Sequence, residues 1–365
     1  MGSSLENFLQ AVLEQRREKG LERQCRRVDG PQQTSLVVDG KKVINFCSND
    51  YLGLASEIRV IGAAQACLRA QGFGSGASRL VCGNMSAFRA LEEFLAAWKK
   101  TEAALVFNTG YTANAGIISG LMDRQDAVFC DRLNHASIID GVLLSQARLY
   151  RYPHADPQAL ETLLKKKTGH KKRMIVTDSV FSMDGDIAPL PRLVELAEKY
   201  DCLLMIDEAH AMGVLGKEGK GAAEYFGLEG RIDIQMGTLS KAAGALGAYV
   251  CGSSNLIRFL VNHARSFIYT TALPPAVAAA ALEGVKIIVQ EPGRRGRLWE
   301  NTRFVKGELS ACGFDTGRSE TPIIPVILGE SALAAEFSRR LFDEGIWVAA
   351  IRPPTVPARS ARLRL

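Results

Sequence analysis

The chain has 365 residues, 47% of them hydrophobic, so it can bury a sizeable core in one large and one smaller domain. Its net charge of +6 is smaller than the surplus typical of nucleic-acid-binding proteins, and its eight singly spaced cysteines indicate neither a zinc site nor a disulfide framework. No apolar run is long enough to span a membrane, and residues 1–10 lack the pattern of a signal peptide, so we expect a cytoplasmic protein without membrane or nucleic-acid partners.

The first 48 residues predict an N-terminal arm rather than a domain. Residues 5–27 alternate charged and apolar positions like an exposed amphipathic helix. Residues 37–46 have the pattern of a hairpin of two short strands around Asp39-Gly40. We therefore expect a helix followed by a hairpin, placed before the main domain.

Residues 49–290 alternate short apolar runs with helical segments, which predicts an α/β domain around a large, mostly parallel sheet. After Glu291-Pro292-Gly293 the chain becomes more charged, and a smaller α+β domain is expected over residues 291–365. The predicted strands of the large domain are residues 104–107, 127–130, 174–177, 203–206, 232–236 and 248–251, and those of the small domain are residues 323–328 and 346–351.

One buried strand ends in an acid and is followed by two further polar groups. The run Leu203-Leu204-Met205-Ile206 leads to Asp207 and His210, and a small-residue loop downstream carries Lys241. A lysine amine can hold the aldehyde of pyridoxal 5'-phosphate (PLP), and a carboxylate keeps the pyridine nitrogen of that cofactor protonated. The combination of Asp207, His210 and Lys241 therefore favours a PLP site.

Each of these residues also has a simpler interpretation. An apolar strand ending in Asp occurs in many α/β proteins, where the acid binds a metal, a ribose or nothing, and a lysine after Thr-x-Ser is often only a solvated loop residue.

The segment Gly72 to Ala77 loosely matches the glycine fingerprint of nicotinamide-binding folds, but it follows the helical stretch 63–71 instead of a strand. We therefore reject a nicotinamide site.

The order of motifs along nearly the whole chain resembles the α-oxoamine synthase family of PLP enzymes, which have the fold type I aminotransferase-like architecture. The residues that carry the resemblance are Ser48 to Leu54, Gly74 to Asn84, Asn108 to Tyr111, Asp131 to Ser137, Phe181 to Asp186, Asp207 to His210, Thr238 to Lys241 and Ile351 to Pro357.

The resemblance implies roles around the cofactor. Lys241 would hold PLP covalently, Asp207 would pair with its ring nitrogen, and His135 would stack on its ring, although His135 could instead cap a helix. Gly110 and Tyr111 open a predicted helix whose N–H groups suit a phosphate. The remaining implied cofactor contacts are Ser182, His210, Thr238 and, from the other subunit of a homodimer with shared active sites, Thr271.

The resemblance also implies the substrates. Arg364 matches the anchor for an amino-acid carboxylate, and the acyl or product contacts match Arg23, Asn49, His135 and Thr355. Residues 351–357 favour the branch that condenses L-alanine with a pimeloyl thioester, carried by coenzyme A or by a carrier protein, in biotin biosynthesis. A sister synthase that joins glycine to acetyl-CoA, and a non-catalytic partner subunit, stay open as alternatives.

Two positions depart from the pattern of the family. Phe88 stands where the family usually has histidine, and Ser240 stands where it often has glycine. The sequence also stops at Leu365, just after the arginine anchor, so we expect the small C-terminal domain to be incomplete.

Overall fold

The structure, a computed structural model, describes residues 4–365, which form two compact units. The central unit comprises Asn49–Ser182 and Asp186–Glu300. The terminal unit joins the residues up to Ser48 with Met183–Gly185 and Asn301–Leu365. The N-terminal segment thus belongs to the same unit as the C-terminal one. The central unit ends between Glu300 and Asn301, whereas the sequence predicts the end of the large domain between residues 290 and 291.

The strands and helices follow the alternation read from the sequence. The strands within residues 4–365 are β1 (Val28–Asp29), β2 (Ser35–Val38), β3 (Lys41–Asn45), β4 (Ala103–Phe107), β5 (Ala127–Asp131), β6 (Arg148–Tyr152), β7 (Arg173–Asp178), β8 (Leu203–Asp207), β9 (Ile234–Thr238), β10 (Ala248–Gly252), β11 (Pro325–Gly329), β12 (Ile346–Trp347), β13 (Ala349–Ile351) and β14 (Ala361–Arg364). The helices within the same residues are α1 (Ser4–Glu18), α2 (Ile58–Gln71), α3 (Ser86–Lys99), α4 (Gly110–Leu121), α5 (Ala136–Ser145), α6 (Pro157–Lys166), α7 (Leu190–Lys199), α8 (Ala222–Tyr225), α9 (Ser254–His263), α10 (Arg265–Ile268), α11 (Pro275–Gln290), α12 (Pro292–Ala311) and α13 (Ser331–Asp343).

Seven of these strands form the sheet of the central unit, in the order β4-β10-β9-β8-β7-β5-β6. Strand β10 runs antiparallel to both of its neighbours, and the other neighbouring pairs are parallel. Alternate residues of β10 enter two different apolar clusters: Tyr249 and Cys251 join one, Ala248 and Val250 the other. Both faces of the sheet are therefore covered, and the predicted α/β fold with a mostly parallel sheet is confirmed.

Strand β6 was missed by the sequence analysis, although the six predicted strands of this sheet are all present. It lies at the edge of the sheet, where it pairs with β5. Arg148 and Arg151 stay exposed, and only Tyr152 is buried. A strand that mixes arginine and tyrosine has no apolar run to reveal it.

Helix α1 is shorter than predicted, because it ends at Glu18 instead of continuing to residue 27. Gly20 follows with a φ of +62°, a left-handed conformation that glycine adopts at low cost and that ends a helix. None of the residues of α1 is buried, so no packing supports a longer helix.

The terminal unit contains two small sheets, β1-β2-β3-β12 and β11-β14-β13. The predicted hairpin is confirmed, because β2 and β3 pair antiparallel around Asp39 and Gly40, which have φ values of +48° and +81°. The sequence analysis missed β14, in which alanine and leucine alternate with Arg362 and Arg364. The guanidinium of Arg362 pairs with Asp184 at 2.5 Å, which links β14 to Met183–Gly185 within this unit.

Two kinds of feature are absent from residues 4–365. Over this range, no helix is both long enough and apolar enough to cross a membrane. The same range contains no group of three or more His, Cys, Asp or Glu side chains placed to hold a metal ion.

Candidate functional site

The carboxyl ends of β7, β8 and β9 bring polar residues to one edge of the central sheet. Strand β7 ends at Asp178, β8 ends at Asp207, and β9 ends at Thr238. Because neighbouring parallel strands end at the same edge, the residues just beyond them, including His210 and Lys241, also come to this edge. The backbones of Asp178 and Asp207 are direct partners in the sheet.

Lys241 and His210 are in contact. The Lys241 Nζ lies 3.0 Å from His210 Nε2, and the other ring nitrogen of His210 lies 2.6 Å from the hydroxyl of Tyr51. His210 is buried, whereas Tyr51 and Lys241 are half-buried. The site therefore contains an amine whose neighbour is an imidazole engaged at both of its nitrogens.

Asp207 is buried and hydrogen-bonded on both carboxylate oxygens. Its Oδ1 accepts the backbone N–H of Ala209 at 2.8 Å, and its Oδ2 accepts the side-chain amide of Asn114 at 2.8 Å. Asn114 also donates to the hydroxyl of Ser137 at 2.9 Å. These donors stabilise a charged carboxylate and fix its direction. The sequence analysis missed Asn114, which lies in the predicted helix opened by Gly110 but has no motif of its own.

His135 caps helix α5, as its alternative interpretation predicted. Its Nδ1 lies 2.7 Å from Ser137 Oγ and accepts the Ser137 backbone N–H at 3.3 Å. Burial lowers the pKa of His135, the negative charge of Asp207 opposes that effect, and the positive charge of Lys241 adds to it. His135 is thus a neutral imidazole near physiological pH, within the electrostatic reach of Asp207 and Lys241.

Asp178 is a second buried carboxyl group beside Asp207. Burial, and next the charge of Asp207, raises the pKa of Asp178 well above its ordinary value. Its Oδ2 accepts the backbone N–H of His135 at 2.8 Å. The two buried carboxyl groups therefore lie close enough for the charge of Asp207 to oppose ionisation of Asp178. The sequence offered a signal that we did not use, since the apolar run of β7 also ends in an acid.

The N-terminus of α4 lies at one end of the candidate site. Thr109 caps this helix, accepting the Thr112 N–H at 3.1 Å, and Gly110 is its first residue, as predicted. A Cβ on Gly110 would lie 3.9 Å from the Thr238 Cβ, so the helix terminus lies next to Thr238. Unpaired N–H groups at a helix N-terminus beside a hydroxyl suit a phosphate.

The segment that contains Thr271 lies near the same helix terminus. The side-chain amide of Asn108 donates to the Thr271 backbone carbonyl at 2.9 Å.

The phenol of Tyr111 is half-exposed and donates a hydrogen bond to Asp140 at 2.7 Å. The backbone of Tyr111, rather than its side chain, is thus what the helix terminus offers to a ligand.

The two departures from the family pattern have simple surroundings. Phe88 is buried in the core, with the guanidinium of Arg79 over its ring at 4.5 Å. The hydroxyl of Ser240 lies 2.7 Å from Thr238 Oγ1. Ser240 therefore supports the loop before Lys241 with a hydrogen bond that glycine could not make.

Three of the predicted substrate residues belong to the terminal unit. Arg23 donates to the hydroxyl of Thr355 at 3.4 Å, which brings together two residues 332 positions apart in the chain. Arg364 is buried in β14. Burial of the Cys47 thiol raises its pKa to about 11, and the positive charge of Arg364 opposes this rise. Asn49 and Ser182 lie in the central unit.

The residues of the central unit fit PLP. A primary amine (Lys241) can hold an aldehyde, a buried carboxylate (Asp207) can hold a protonated ring nitrogen, and a helix N-terminus next to Thr238 can hold a phosphate. His210 presents a nitrogen beside the amine. This set of residues therefore matches the aldehyde, the ring nitrogen and the phosphate of the cofactor.

Comparison with known proteins agrees with this chemistry. The family model "Aminotransferase class I and II" matches residues 41–365. The 8-amino-7-oxononanoate synthase of Geobacter sulfurreducens is 53% identical over 354 residues, covering 96% of this chain and 90% of that protein.

Solved structures show the same architecture. A structure of SPT (serine palmitoyltransferase) with PLP has a TM-score of 0.94 at 33% identity, covering 100% of this chain and 93% of that one. The 8-amino-7-oxononanoate synthase of Francisella tularensis has a TM-score of 0.76 at 34% identity, covering 88% and 91% of the two chains. From the fold, the site and these relatives together, the chain belongs to the PLP-dependent fold type I aminotransferase family and, within it, to the 8-amino-7-oxononanoate synthases.

Proposed function

We propose that this protein condenses L-alanine with a pimeloyl thioester to give 8-amino-7-oxononanoate, carbon dioxide and the free thiol, in biotin biosynthesis. The observation that carries the proposal is the amine of Lys241, 3.0 Å from His210 Nε2 in the unit that also buries Asp207. The 53% identity to a synthase with this name supports the choice of substrates.

Lys241 serves twice in the proposed reaction. Its amine would hold the cofactor and, when free, would remove the proton from the α-carbon of L-alanine. When bound, PLP supplies an electron sink for the bond that is broken at this carbon. Asp207 keeps the ring nitrogen of the cofactor protonated, which its two hydrogen bonds to Ala209 and Asn114 support.

The other site residues bind and orient the substrates. We assign Arg364 to the L-alanine carboxylate, so that it decides which bond at the α-carbon is broken. Arg23, Asn49 and Thr355 are assigned to the acyl group or the product, and His135 donates to the thioester carbonyl. The α-carbon of L-alanine then bonds to the thioester carbonyl carbon, and the carbon–sulfur bond breaks to release the thiol. The carboxyl group that came from L-alanine is lost as carbon dioxide, and a proton returns to the α-carbon.

The remaining cofactor contacts complete the proposal. Ser182 and His210 contact the ring or its phenolic oxygen, while Thr238 and the N–H groups of Gly110 and Tyr111 bind the phosphate. Thr271 reaches the phosphate of a second subunit, so the enzyme works as a homodimer with shared active sites. We place the reaction in the cytoplasm, where L-alanine and acyl thioesters are formed.

The test is thiol release by the purified, PLP-loaded protein. Release with pimeloyl-CoA and L-alanine, and none with acetyl-CoA and glycine, supports the proposal. Release with the second pair alone would move the protein to the sister synthase. A third arm with a pimeloyl-carrier protein distinguishes the two thioester sources, and a protein that takes up PLP but releases no thiol in any arm would refute the proposal.

A further inference from the structure

The hydroxyl of Tyr51 is part of a hydrogen-bonded chain that ends at Lys241. Its oxygen lies 2.6 Å from His210 Nδ1, and the opposite nitrogen of that ring, Nε2, lies 3.0 Å from Lys241 Nζ. Both separations are hydrogen-bond distances. The partners on the two sides of a neutral imidazole decide together which nitrogen carries its proton.

Tyr51 is held in place by the turn around it. The carboxylate of Asp50 accepts the backbone N–H groups of Leu54 at 2.8 Å and Ala55 at 3.0 Å. The Tyr51 ring packs against the apolar core of the central unit and meets the His210 ring edge-on at 69°. The hydroxyl is therefore presented to His210 from a rigid loop, although Tyr51 is distant in sequence, 159 positions before the histidine.

The two protonation states of Lys241 allow different roles of the tyrosine. When Lys241 is an ammonium ion, it has no lone pair and donates a hydrogen bond to Nε2, so Nδ1–H donates to the Tyr51 oxygen. When Lys241 is a neutral amine, its lone pair can accept Nε2–H, and the Tyr51 O–H then donates to Nδ1. A hydroxyl can take both roles because it is both a donor and an acceptor, whereas phenylalanine can take neither.

We propose that Tyr51 is a positioning residue for Lys241, whose hydroxyl holds the imidazole of His210 and exchanges donor and acceptor roles when the lysine gains or loses its proton. The inference rests on the proposed function in one respect, namely that Lys241 is the amine that takes up PLP. The motif Ser48 to Leu54 thereby has a second role, through Tyr51, beside the proposed substrate contact of Asn49.

The variant that tests this role is Tyr51→Phe, which keeps the packed ring and removes only the hydroxyl. The first readout is the ¹⁵N chemical shifts of His210 in the full-length protein without PLP, assigned by comparison with His210→Asn among the five histidines. We expect the Nδ1 shift to move in Tyr51→Phe, because this nitrogen loses its hydrogen-bonding partner while Nε2 keeps its contact with Lys241.

The second readout is the rate constant of PLP uptake, followed by visible absorbance at neutral pH. Tyr51→Phe should lower it about tenfold, because the buried imidazole loses a hydrogen-bonding partner. In the His210→Asn background, Tyr51→Phe should have no further effect. Tyr225→Phe, which removes an exposed hydroxyl of the same unit, is the matched control and should change neither readout.

Two outcomes would overturn the inference. One is that the His210 shifts are unchanged in Tyr51→Phe, and the other is that Tyr51→Phe lowers the rate of PLP uptake equally in the wild-type and the His210→Asn backgrounds. Failure of the proposed function gives a different result. A wild-type protein that does not take up PLP would refute that function, while the His210 shifts would still decide whether Tyr51 controls the imidazole.

Discussion

His154 lies between two carboxylates at the edge of the candidate site. Its Nδ1 is 3.0 Å from Asp131 Oδ1, and its Nε2 is 2.7 Å from Asp186 Oδ2. Burial favours the neutral imidazole, but the hydrogen bonds to both carboxylates outweigh it and raise the pKa of His154 to about 10. Asp131 precedes the turn to His135, and Asp186 follows Ser182, so the imidazolium joins two segments that carry candidate site residues.

Replacing His154 by Asn should lower the free energy of unfolding by about 2 kcal/mol at pH 6, because two charge-assisted hydrogen bonds are lost. The folded pKa is raised above the ordinary value of 6.5, so this stabilisation is complete below pH 6.5 and is lost as the pH rises towards 10. Urea unfolding at pH 6 and pH 10 measures the difference between the two proteins, which should shrink at the higher pH.

The control for this measurement is His263→Asn, at an exposed position of α9. It should show a small difference from the wild type that is similar at both pH values. A gap between His154→Asn and the wild type that is as large at pH 10 as at pH 6 would contradict the imidazolium assignment.

The amine of Lys241 is central to the proposed reaction. Lys241→Ala should still bind PLP noncovalently but lose the characteristic absorbance of the lysine-bound cofactor. Its rate of thiol release should fall on the order of a thousandfold or more, since the proposed base at the α-carbon is removed. Absorbance spectra and thiol release measure these effects. Lys166→Ala, at an exposed position of α6, serves as control, and wild-type turnover in Lys241→Ala would refute the assignment.

At the scale of elements, helix α11 packs directly on the loop that carries Lys241. A Cβ built on Gly284 in this helix would lie 2.2 Å from the backbone oxygen of Ala243. The contact also brings α11 into the apolar cluster that contains Ala242 and Ala243. The absence of a side chain at Gly284 thus lets the helix support the loop from one side.

Gly284→Ala should destabilise the protein by about 1–3 kcal/mol and lower its affinity for PLP, because the helix or the lysine loop must shift to admit the methyl group. Chemical unfolding and equilibrium PLP titration measure the two effects. Gly296→Ala in α12 is a matched control, since a Cβ there meets no atom within 4 Å. The control should be neutral or stabilising by about 0.5–1 kcal/mol, and an equally mild Gly284→Ala would contradict the packing argument.

At the scale of the whole molecule, the central unit leaves several large apolar side chains exposed, with Phe73 and Val81 each 78% accessible and Tyr269 72% accessible. Large apolar side chains that together form a contiguous exposed patch are typical of surfaces that are covered in an oligomer. Tyr269 precedes Thr271, which we assign to the phosphate of a second subunit. The proposed homodimer would account for both observations.

Sedimentation of the wild-type protein should therefore give about twice the 39.6 kDa mass of one chain. Phe73→Asp should shift the mass towards that of the monomer and weaken PLP binding together with it, because a charge would be buried in the interface. Leu333→Asp, a similar change at an exposed position of the terminal unit, should affect neither property. A wild-type protein that sediments as a monomer while retaining full activity would refute the shared site.

The sequence by itself determined the fold class, the strands with continuous apolar runs, the hairpin at Asp39-Gly40 and the family, since periodicity, turn residues and motif order are local properties of the chain. It predicted the candidate residues Asp207, His210 and Lys241 for the same reason. It did not reveal β6, which mixes arginine with tyrosine and leucine, or β14, in which arginines alternate with alanine and leucine, and it extended α1 beyond Gly20.

Which polar groups meet depends on the three-dimensional fold. Tyr51 reaches His210, Asp178 lies beside Asp207, Asn114 donates to Asp207, and His154 joins two carboxylates. These contacts connect residues from different strands and helices, so no local pattern contains them. They form because the sheet brings the ends of distant strands to one edge, where hydrogen-bonding partners stabilise most of the buried polar groups.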